Sequence, residues 1–210
     1  MLSIALVNLK PGTGKTTSAV WLAHAFAAID GDVLLVDADP AASALEWSDI
    51  AGGFPFRTIG LPVRDLHRRI PDIARPDDIV IIDAPQIEDH AGIARGALRF
   101  ADEILIPVAP TPIEINRTGT MRDEIADANS VRSTPARAAV LLNRTVAHAN
   151  STIDAREALS DLGYDVLDCT VPRLEVYGQS FGGSLPSTGA GIWRTVADEL
   201  LTRAGSLTEA

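Results

Sequence analysis

Residues 4–24, IALVNLKPGTGKTTSAVWLAH, carry the strongest structural signal in the chain. A run of apolar residues leads into a loop with two glycines, and Gly-Lys-Thr then opens a segment with helical periodicity. A strand, a glycine-bearing turn and a helix in this order are what a site for nucleotide phosphates requires. Gly12 and Gly14 let backbone N–H groups approach phosphate oxygens closely, and the positive end of the helix dipole faces the same point.

The two lysines of this loop, Lys10 and Lys15, are the only lysines in the chain, whereas sixteen arginines are spread along it. An ammonium is a compact point charge and a guanidinium is a planar fork, so the two lysines indicate specific contacts. The pattern predicts that Lys15 bridges the terminal phosphates and that the Thr16 hydroxyl binds Mg²⁺. The common phosphate-loop pattern has glycine at position 9, where this chain has Leu9.

Short β-branched runs alternate with longer helix-periodic stretches along the chain, which predicts an α/β fold with a mostly parallel sheet and helices on both faces. We expect one domain over residues 1–204 and a flexible tail over 205–210. The expected strands are 2–8, 33–37, 55–59, 79–83, 103–108, 138–143 and 166–171, and the expected helices are 15–29, 41–50, 61–73, 91–100, 113–128, 151–162 and 191–203.

The composition argues against several classes of protein. A formal net charge of −10 disfavours a surface coated with phosphate-binding groups, so any polyanion must meet a local patch. The apolar runs are too short to cross a bilayer and the N-terminus has no signal peptide, so we expect a cytoplasmic protein with no membrane partner. The single cysteine, Cys169, forms no internal disulfide, and the four histidines show no metal-ligand spacing.

Two later strands are predicted to end in aspartates. VLLVDADP places Asp37 and Asp39 after one strand, and DDIVIIDAP places Asp83 after another. Because ligands of parallel α/β sheets bind at the carboxyl ends of the strands, these carboxylates can converge on the phosphate loop. Asp83 has the form of the Mg²⁺-associated aspartate of phosphate-loop enzymes, and Ala84 follows it where other ATPases often have a glutamate that activates water.

The motif KPGTGKT, residues 10–16, resembles the deviant Walker-type loop K-G-G-x-G-K-[ST] of the ParA/MinD family of ATPases, with Pro11 in place of the first glycine. The resemblance implies that Lys10 crosses a dimer interface to the partner's nucleotide, while Lys15 serves its own subunit. It also implies that Asp39 positions or activates the attacking water. Asp37 is left as a group that orients the loop, and the sequence does not divide the work between the two aspartates.

The same resemblance implies ATP and Mg²⁺ as cofactors. Adenine is also favoured because both lysines lie in the phosphate loop, which leaves none for the N-K-x-D or T-K-x-D motif of guanine sites. The residues implied to hold the nucleotide are Pro11, Gly12, Thr13, Gly14, Lys15, Thr16 and Thr17 around the phosphates and Asn143 and Pro172 around the adenine, with Thr16, Asp39 and Asp83 at the Mg²⁺.

Within the family, the chain is most similar to short plasmid-partition ParA proteins of the ParF-like kind. That similarity implies an ATP-dependent homodimer that binds nucleoid DNA non-specifically. A small centromere-binding, ParB-type partner would then stimulate its slow hydrolysis of ATP and release it. A basic cluster in LPVRDLHRRIPDIAR, with Arg64, Arg68, Arg69 and Arg75, is first interpreted as a solvated helix face. The other candidates for contacts with DNA phosphates are four late arginines, Arg144, Arg173, Arg194 and Arg203.

Three alternatives share this fold. A positioning ATPase for a protein cargo would use the same chemistry. A membrane cycler like MinD normally ends in a basic amphipathic helix, and the end of this chain, TVADELLTRAGSLTEA, is acidic beside its apolar stripe. A small-molecule ligase or synthetase would need neither DNA nor a protein partner.

Overall fold

The computed structural model describes residues 1–205, in which strands and helices alternate. Their bounds are β1 Leu2–Leu6, α1 Lys15–Ala27, β2 Val33–Asp37, α2 Ser43–Ile50, β3 Arg57–Gly60, α3 Leu66–Ile73, β4 Ile79–Asp83, α4 Ile87–Phe100, β5 Glu103–Val108, α5 Pro112–Asn129, β6 Arg137–Thr145, α6 Asn150–Asp161, β7 Asp165–Val166, β8 Val171–Pro172, α7 Glu175–Gln179 and α8 Ala190–Gly205.

The strands form one sheet in the order β3-β2-β4-β1-β5-β6-β7, and β8 pairs with β6. The pairs described within residues 1–205 are parallel, which confirms the predicted fold class. Asp83 lies opposite Leu6 on one side and opposite Asp37 on the other. The loop after β1 therefore leaves the sheet at the same edge as both aspartates.

Each face of the sheet is covered by its own apolar layer. Side chains from α3, α4, α5 and α6 form one layer, and side chains from α1, α2, α7 and α8 form the other. The second layer is built around the buried indoles of Trp21, Trp47 and Trp193. The Tyr177 ring packs edge-on against Trp21 and Trp193, with centroids 5.0 and 6.1 Å apart, a geometry that aromatic pairs favour. This explains how α7 and α8 are fixed to α1.

The strand predicted over 166–171 is wrong. Two short strands, β7 and β8, stand there, separated by a segment in which the Glu199 carboxylate accepts the backbone N–H groups of Asp168 and Cys169 at 2.7 and 3.0 Å. Those N–H groups are therefore used by α8 instead of a neighbouring strand. Helix α7 was not predicted, because five residues are too few to show a helical period.

The C-terminal helix is joined to the sheet by buried ion pairs. The Glu103 carboxylate, whose side chain is 2% exposed, lies 2.7 Å from Arg203 and 3.1 Å from Arg137. Arg203 also lies 3.4 Å from Asp165. Because Arg203 is committed to these carboxylates, its position does not support the predicted contact with DNA.

The predicted tail over 205–210 falls at the end of the described chain. Gly205 is the last residue of α8, and residues 206–210 lie outside the described residues. Among residues 1–205, none of the helices combines the length and the apolar character that a bilayer crossing needs.

Candidate functional site

The loop after β1 is shaped to hold an anion. Gly12 and Gly14 have φ values of 74° and 91°, in the left-handed region that favours glycine. Helix α1 begins directly after Gly14, which has no side chain to cap it. The first N–H groups of α1 therefore lack intrahelical partners and offer hydrogen bonds, together with the helix dipole, to phosphate oxygens.

The two lysines of the loop point in different directions. Lys15 is only 7% exposed, and its Nζ donates a hydrogen bond to the carbonyl oxygen of Lys10 at 3.2 Å. Burial lowers the pKa of Lys15, while the nearby carboxylates of Asp83 and Asp39 favour its charged form. The Lys10 side chain is 34% exposed, and its Nζ lies 3.7 Å from Glu88 at the start of α4. The structure thus places one lysine inside the loop and the other at the surface.

Asp37 and Asp39 occupy different environments. The buried Asp37 carboxylate accepts backbone N–H groups from Asp39 at 3.1 Å, Ala44 at 2.9 Å and Leu45 at 3.0 Å. Burial raises the pKa of Asp37, and these three hydrogen bonds oppose the shift. Asp37 therefore braces the turn before α2 and stands in for a cap on that helix. Asp39 is half-buried, accepts the N–H of Ala41 at 3.0 Å and faces the phosphate loop.

Asp83 is a buried carboxylate in need of a partner. Among the residues that the structure describes, neither of its oxygens accepts a hydrogen bond of normal geometry. Burial, helped by the charge of Asp37, raises its pKa to about 7, and the Thr16 hydroxyl and the Lys15 ammonium oppose that shift. Buried acceptors without donors call for an explanation, and a divalent cation that prefers oxygen ligands supplies one. The arrangement of Thr16, Asp83 and the nearby Asp39 therefore fits Mg²⁺.

Two cavities meet at this edge of the sheet. The smaller one, about 490 Å³, is lined by Pro11, Gly12, Gly14, Lys15, Thr16, Thr17, Asp39 and other residues. The larger one, about 950 Å³, contains both predicted adenine residues, Asn143 and Pro172, on its wall. The linings share Gly14, Thr17 and Arg144, so a nucleotide with its base in one cavity and its phosphates in the other must pass these three residues.

Of the predicted phosphate-loop residues, Thr13 lines neither cavity. It is buried, and its carbonyl oxygen accepts a hydrogen bond from Nδ2 of Asn143 at 3.3 Å. The same Nδ2 lies 2.7 Å from the point where a Cβ would stand on Gly14. Asn143 therefore braces the phosphate loop against β6 as well as lining the larger cavity. No sequence signal identifies this contact, because its partners are 130 residues apart.

The position of Arg144 in the structure differs from the role predicted for it from the sequence. It was predicted as a DNA contact, whereas the structure puts it between the two cavities of this site. Arg173, another predicted DNA contact, also lines the larger cavity. Arg194 is exposed on α8, outside both linings.

The sheet is parallel, and its central strand is followed by a glycine-bearing loop that contains a buried lysine and lies beside a buried aspartate. These features define a phosphate-loop nucleotide-binding protein. The chain belongs to the CobQ/CobB/MinD/ParA nucleotide binding domain family, which it matches over residues 4–182. The predicted membership of the ParA/MinD group is confirmed at this level, and so are the predicted cofactors, ATP and Mg²⁺.

One curated relative spans nearly the whole chain. Maintenance of carboxysome distribution protein A from Halothiobacillus neapolitanus is 31% identical over 208 residues, covering 94% of this chain and 92% of the relative. The prediction of a chain most similar to short plasmid-partition proteins is thus not supported by this relative.

Two solved structures share the fold. The ATP complex of an McdA variant from Cyanothece superposes with a TM-score of 0.76 at 16% identity, covering 95% of this chain and 96% of that one. Cobyrinic acid a,c-diamide synthase from Mycobacterium smegmatis, with a bound ATP analogue and magnesium, superposes with a TM-score of 0.75 at 21% identity, covering 96% of this chain and 94% of that one.

Proposed function

We propose that this protein is an ATPase that positions a protein cargo by cycling between an ATP-bound homodimer and separate subunits. The observation that carries the proposal is the contrast between its two lysines, with Lys15 buried in the loop and Lys10 at the surface beside Glu88. A buried lysine serves the nucleotide of its own subunit. A partly exposed lysine five residues earlier, held by the ion pair with Glu88, can reach a second copy.

The residues of the site divide the work of hydrolysis. Backbone N–H groups of the loop and the start of α1 hold the phosphate chain, and Lys15 neutralises its terminal end. Thr16 and Asp83, with Asp39 beside them, would hold Mg²⁺, which supplies charge neutralisation on the phosphate oxygens. Asp39 orients a water molecule, and the water oxygen bonds to the terminal phosphorus while the bond from that phosphorus to the ADP oxygen breaks. The phosphate product keeps one proton of the water, and the other proton is released to solvent. Asp37 keeps Asp39 in place through its backbone.

One observation favours a protein cargo over a plasmid. The curated relative that spans nearly the whole chain is named for the maintenance of carboxysome distribution. The four late arginines bear on DNA binding rather than on the cargo. Arg144 and Arg173 line the nucleotide cavities and Arg203 is paired with Glu103, so within residues 1–205 Arg194 alone of these four lies outside both linings and makes no ion pair. A partner protein on the cargo would stimulate hydrolysis.

The first test is the nucleotide dependence of the oligomeric state, measured by analytical ultracentrifugation without nucleotide, with ADP and with ATP plus Mg²⁺. We expect a dimer with ATP only. Lys10→Ala should bind ATP and stay monomeric, and Asp39→Ala should form a dimer that persists because hydrolysis is slowed. Arg194→Ala is the control and should behave like the wild type.

A wild-type monomer that binds ATP but never dimerises would contradict the proposal, as would a Lys10→Ala protein that dimerises normally. A second arm adds a random-sequence DNA duplex at low and physiological salt. ATP-dependent binding that weakens with salt would show that the dimer uses DNA as its support. No binding to DNA under any nucleotide would direct the search to another support for the same dimer.

A further inference from the structure

Arg144 holds a backbone conformation that arginine rarely adopts. Its φ is 58°, in the left-handed region, where a Cβ is unfavourable. It sits within β6, where the pairing with β8 shifts register between Asn143 and Thr145. Strain of this kind persists only where the surroundings hold it in place, and it is concentrated at functional sites.

The irregularity in β6 brings the Arg144 side chain to the nucleotide site. Arg144 lines both cavities, and its Nη2 lies 3.9 Å from the point where a Cβ would stand on Gly14. Asn143 helps to hold this conformation, because its Oδ1 accepts the backbone N–H of Arg144 at 2.8 Å. The residue that braces the phosphate loop therefore also sets the position of Arg144.

The Arg144 guanidinium is free to bind an anion. Within residues 1–205 it makes neither an ion pair nor a side-chain hydrogen bond, and the residue is exposed. Its neighbours at the junction of the two cavities are Gly14 and Thr17, at the start of α1. An unpaired cation beside a helix N-terminus forms a strongly positive point.

We propose that Arg144 binds the phosphate chain of the nucleotide in its own subunit, at the part of the chain nearest the ribose. A guanidinium presents its N–H groups in a planar fork that matches the spacing of phosphate oxygens, and such charge-assisted hydrogen bonds are strong. The contact lies at the junction that ADP and ATP must both cross. The proposal rests on nucleotide binding by the proposed ATPase, and it adds a cation from β6 to those of the loop.

The test compares nucleotide affinity with the stability of the nucleotide-free protein. Arg144→Gly removes the cation and accepts the positive φ, so it should weaken the binding of both ADP and ATP, with Mg²⁺, by about tenfold. The melting temperature without nucleotide should stay the same or rise, because glycine relieves the strain. Arg144→Lys should bind more tightly than Arg144→Gly, and Arg194→Ala should match the wild type. Isothermal titration calorimetry and thermal melting give both readouts.

Unchanged affinities in Arg144→Gly would overturn the inference. So would weaker binding accompanied by a lower melting temperature, which marks a structural role, or a loss confined to ATP, which places the contact at the terminal phosphate or in a partner subunit. A wild-type protein that binds neither nucleotide would instead overturn the proposed function, and the inference with it.

Discussion

Gly12 and Gly14 share a left-handed backbone conformation, but their surroundings differ. A Cβ on Gly12 would meet nothing within 4 Å, whereas a Cβ on Gly14 would stand 2.7 Å from Nδ2 of Asn143. Asn143 cannot move away freely, because it is bonded to Thr13 and to the backbone of Arg144. An added side chain should therefore destabilise the folded protein more at Gly14 than at Gly12.

We expect Gly14→Ala to lower the free energy of unfolding by about 2–4 kcal/mol and Gly12→Ala by about 1 kcal/mol, because both strain the backbone but only the first also overpacks. Urea denaturation of the nucleotide-free proteins measures both values. In an Asn143→Ser background the difference between the two variants should shrink. Equal costs for the two variants would show that the Asn143 contact is unimportant.

At the scale of single residues, the sequence predicts the side chains that match phosphates and Mg²⁺. It does not predict the contacts that support the phosphate loop. Lys15, Thr16 and Asp83 were predictable because their side-chain types and spacing match what phosphates and Mg²⁺ need, and the structure brings them together. The contact of Asn143 with Thr13 joins distant residues, and the left-handed conformation of Arg144 depends on a register shift between strands. Neither feature has a local sequence pattern.

Among the helices and strands, α1 is held to the segment before β3 by a histidine. The His24 ring packs edge-on between Phe54 and Phe56, with centroids 4.9 and 4.8 Å away, and its Nδ1 lies 2.9 Å from the carbonyl oxygen of Val20. Burial lowers the pKa of His24 below its usual value near 6.5, and the hydrogen bond to Val20 opposes the shift. The folded protein thus favours the neutral imidazole.

This lowered pKa predicts a loss of stability in acid. Between the lowered pKa and about 6.5, the unfolded chain binds more protons at His24 than the folded protein does, so stability falls as the pH decreases through that window. The free energy of unfolding should therefore fall more between pH 8 and pH 5 in the wild type than in His24→Gln. His148→Asn is the control at an exposed histidine and should keep the wild-type slope. Identical slopes in all three proteins would contradict the prediction.

The sequence predicts the bounds of a strand best where the strand is buried. The bounds of β2, β4 and β5 agree with the predicted ranges because these strands are buried apolar runs. An aspartate ends β2 and β4, and Glu103 begins β5. The segment around β7 and β8 was misread because Glu199, on a helix thirty residues later, takes its backbone hydrogen bonds. Such competition from a distant side chain leaves no trace in the strand's own sequence.

Across the whole molecule, the ion-pair network around Arg203 and the nucleotide site lie at opposite edges of the sheet. Glu103, Arg137 and Asp165 are the first residues of β5, β6 and β7, and all three belong to the ion-pair network around Arg203. The phosphate loop, Asp37 and Asp83 lie at the carboxyl ends of their strands. Substitutions at one edge should therefore leave the chemistry of the other edge intact.

Arg203→Ala leaves the buried Glu103 carboxylate with one fewer cation, so it should lower the free energy of unfolding by about 2–4 kcal/mol. The affinity for ADP should stay at the wild-type value. Arg194→Ala, on the exposed side of the same helix, should change neither quantity. Denaturant unfolding and calorimetric titration measure the two effects. If Arg203→Ala had wild-type stability and bound DNA more weakly, Arg203 would instead be a DNA contact, as the sequence predicts.

The use of arginine at all other cationic positions also limits the primary amines of this chain to its N-terminus and two lysines. Lys15 is 7% exposed and engaged with the Lys10 carbonyl, so an acylating dye meets only the Met1 amino group and the Lys10 side chain. A fluorophore on Lys10 would stand at the outer side of the phosphate loop, next to Glu88. The unaltered chain therefore carries its own attachment point for a spectroscopic reporter at the phosphate loop.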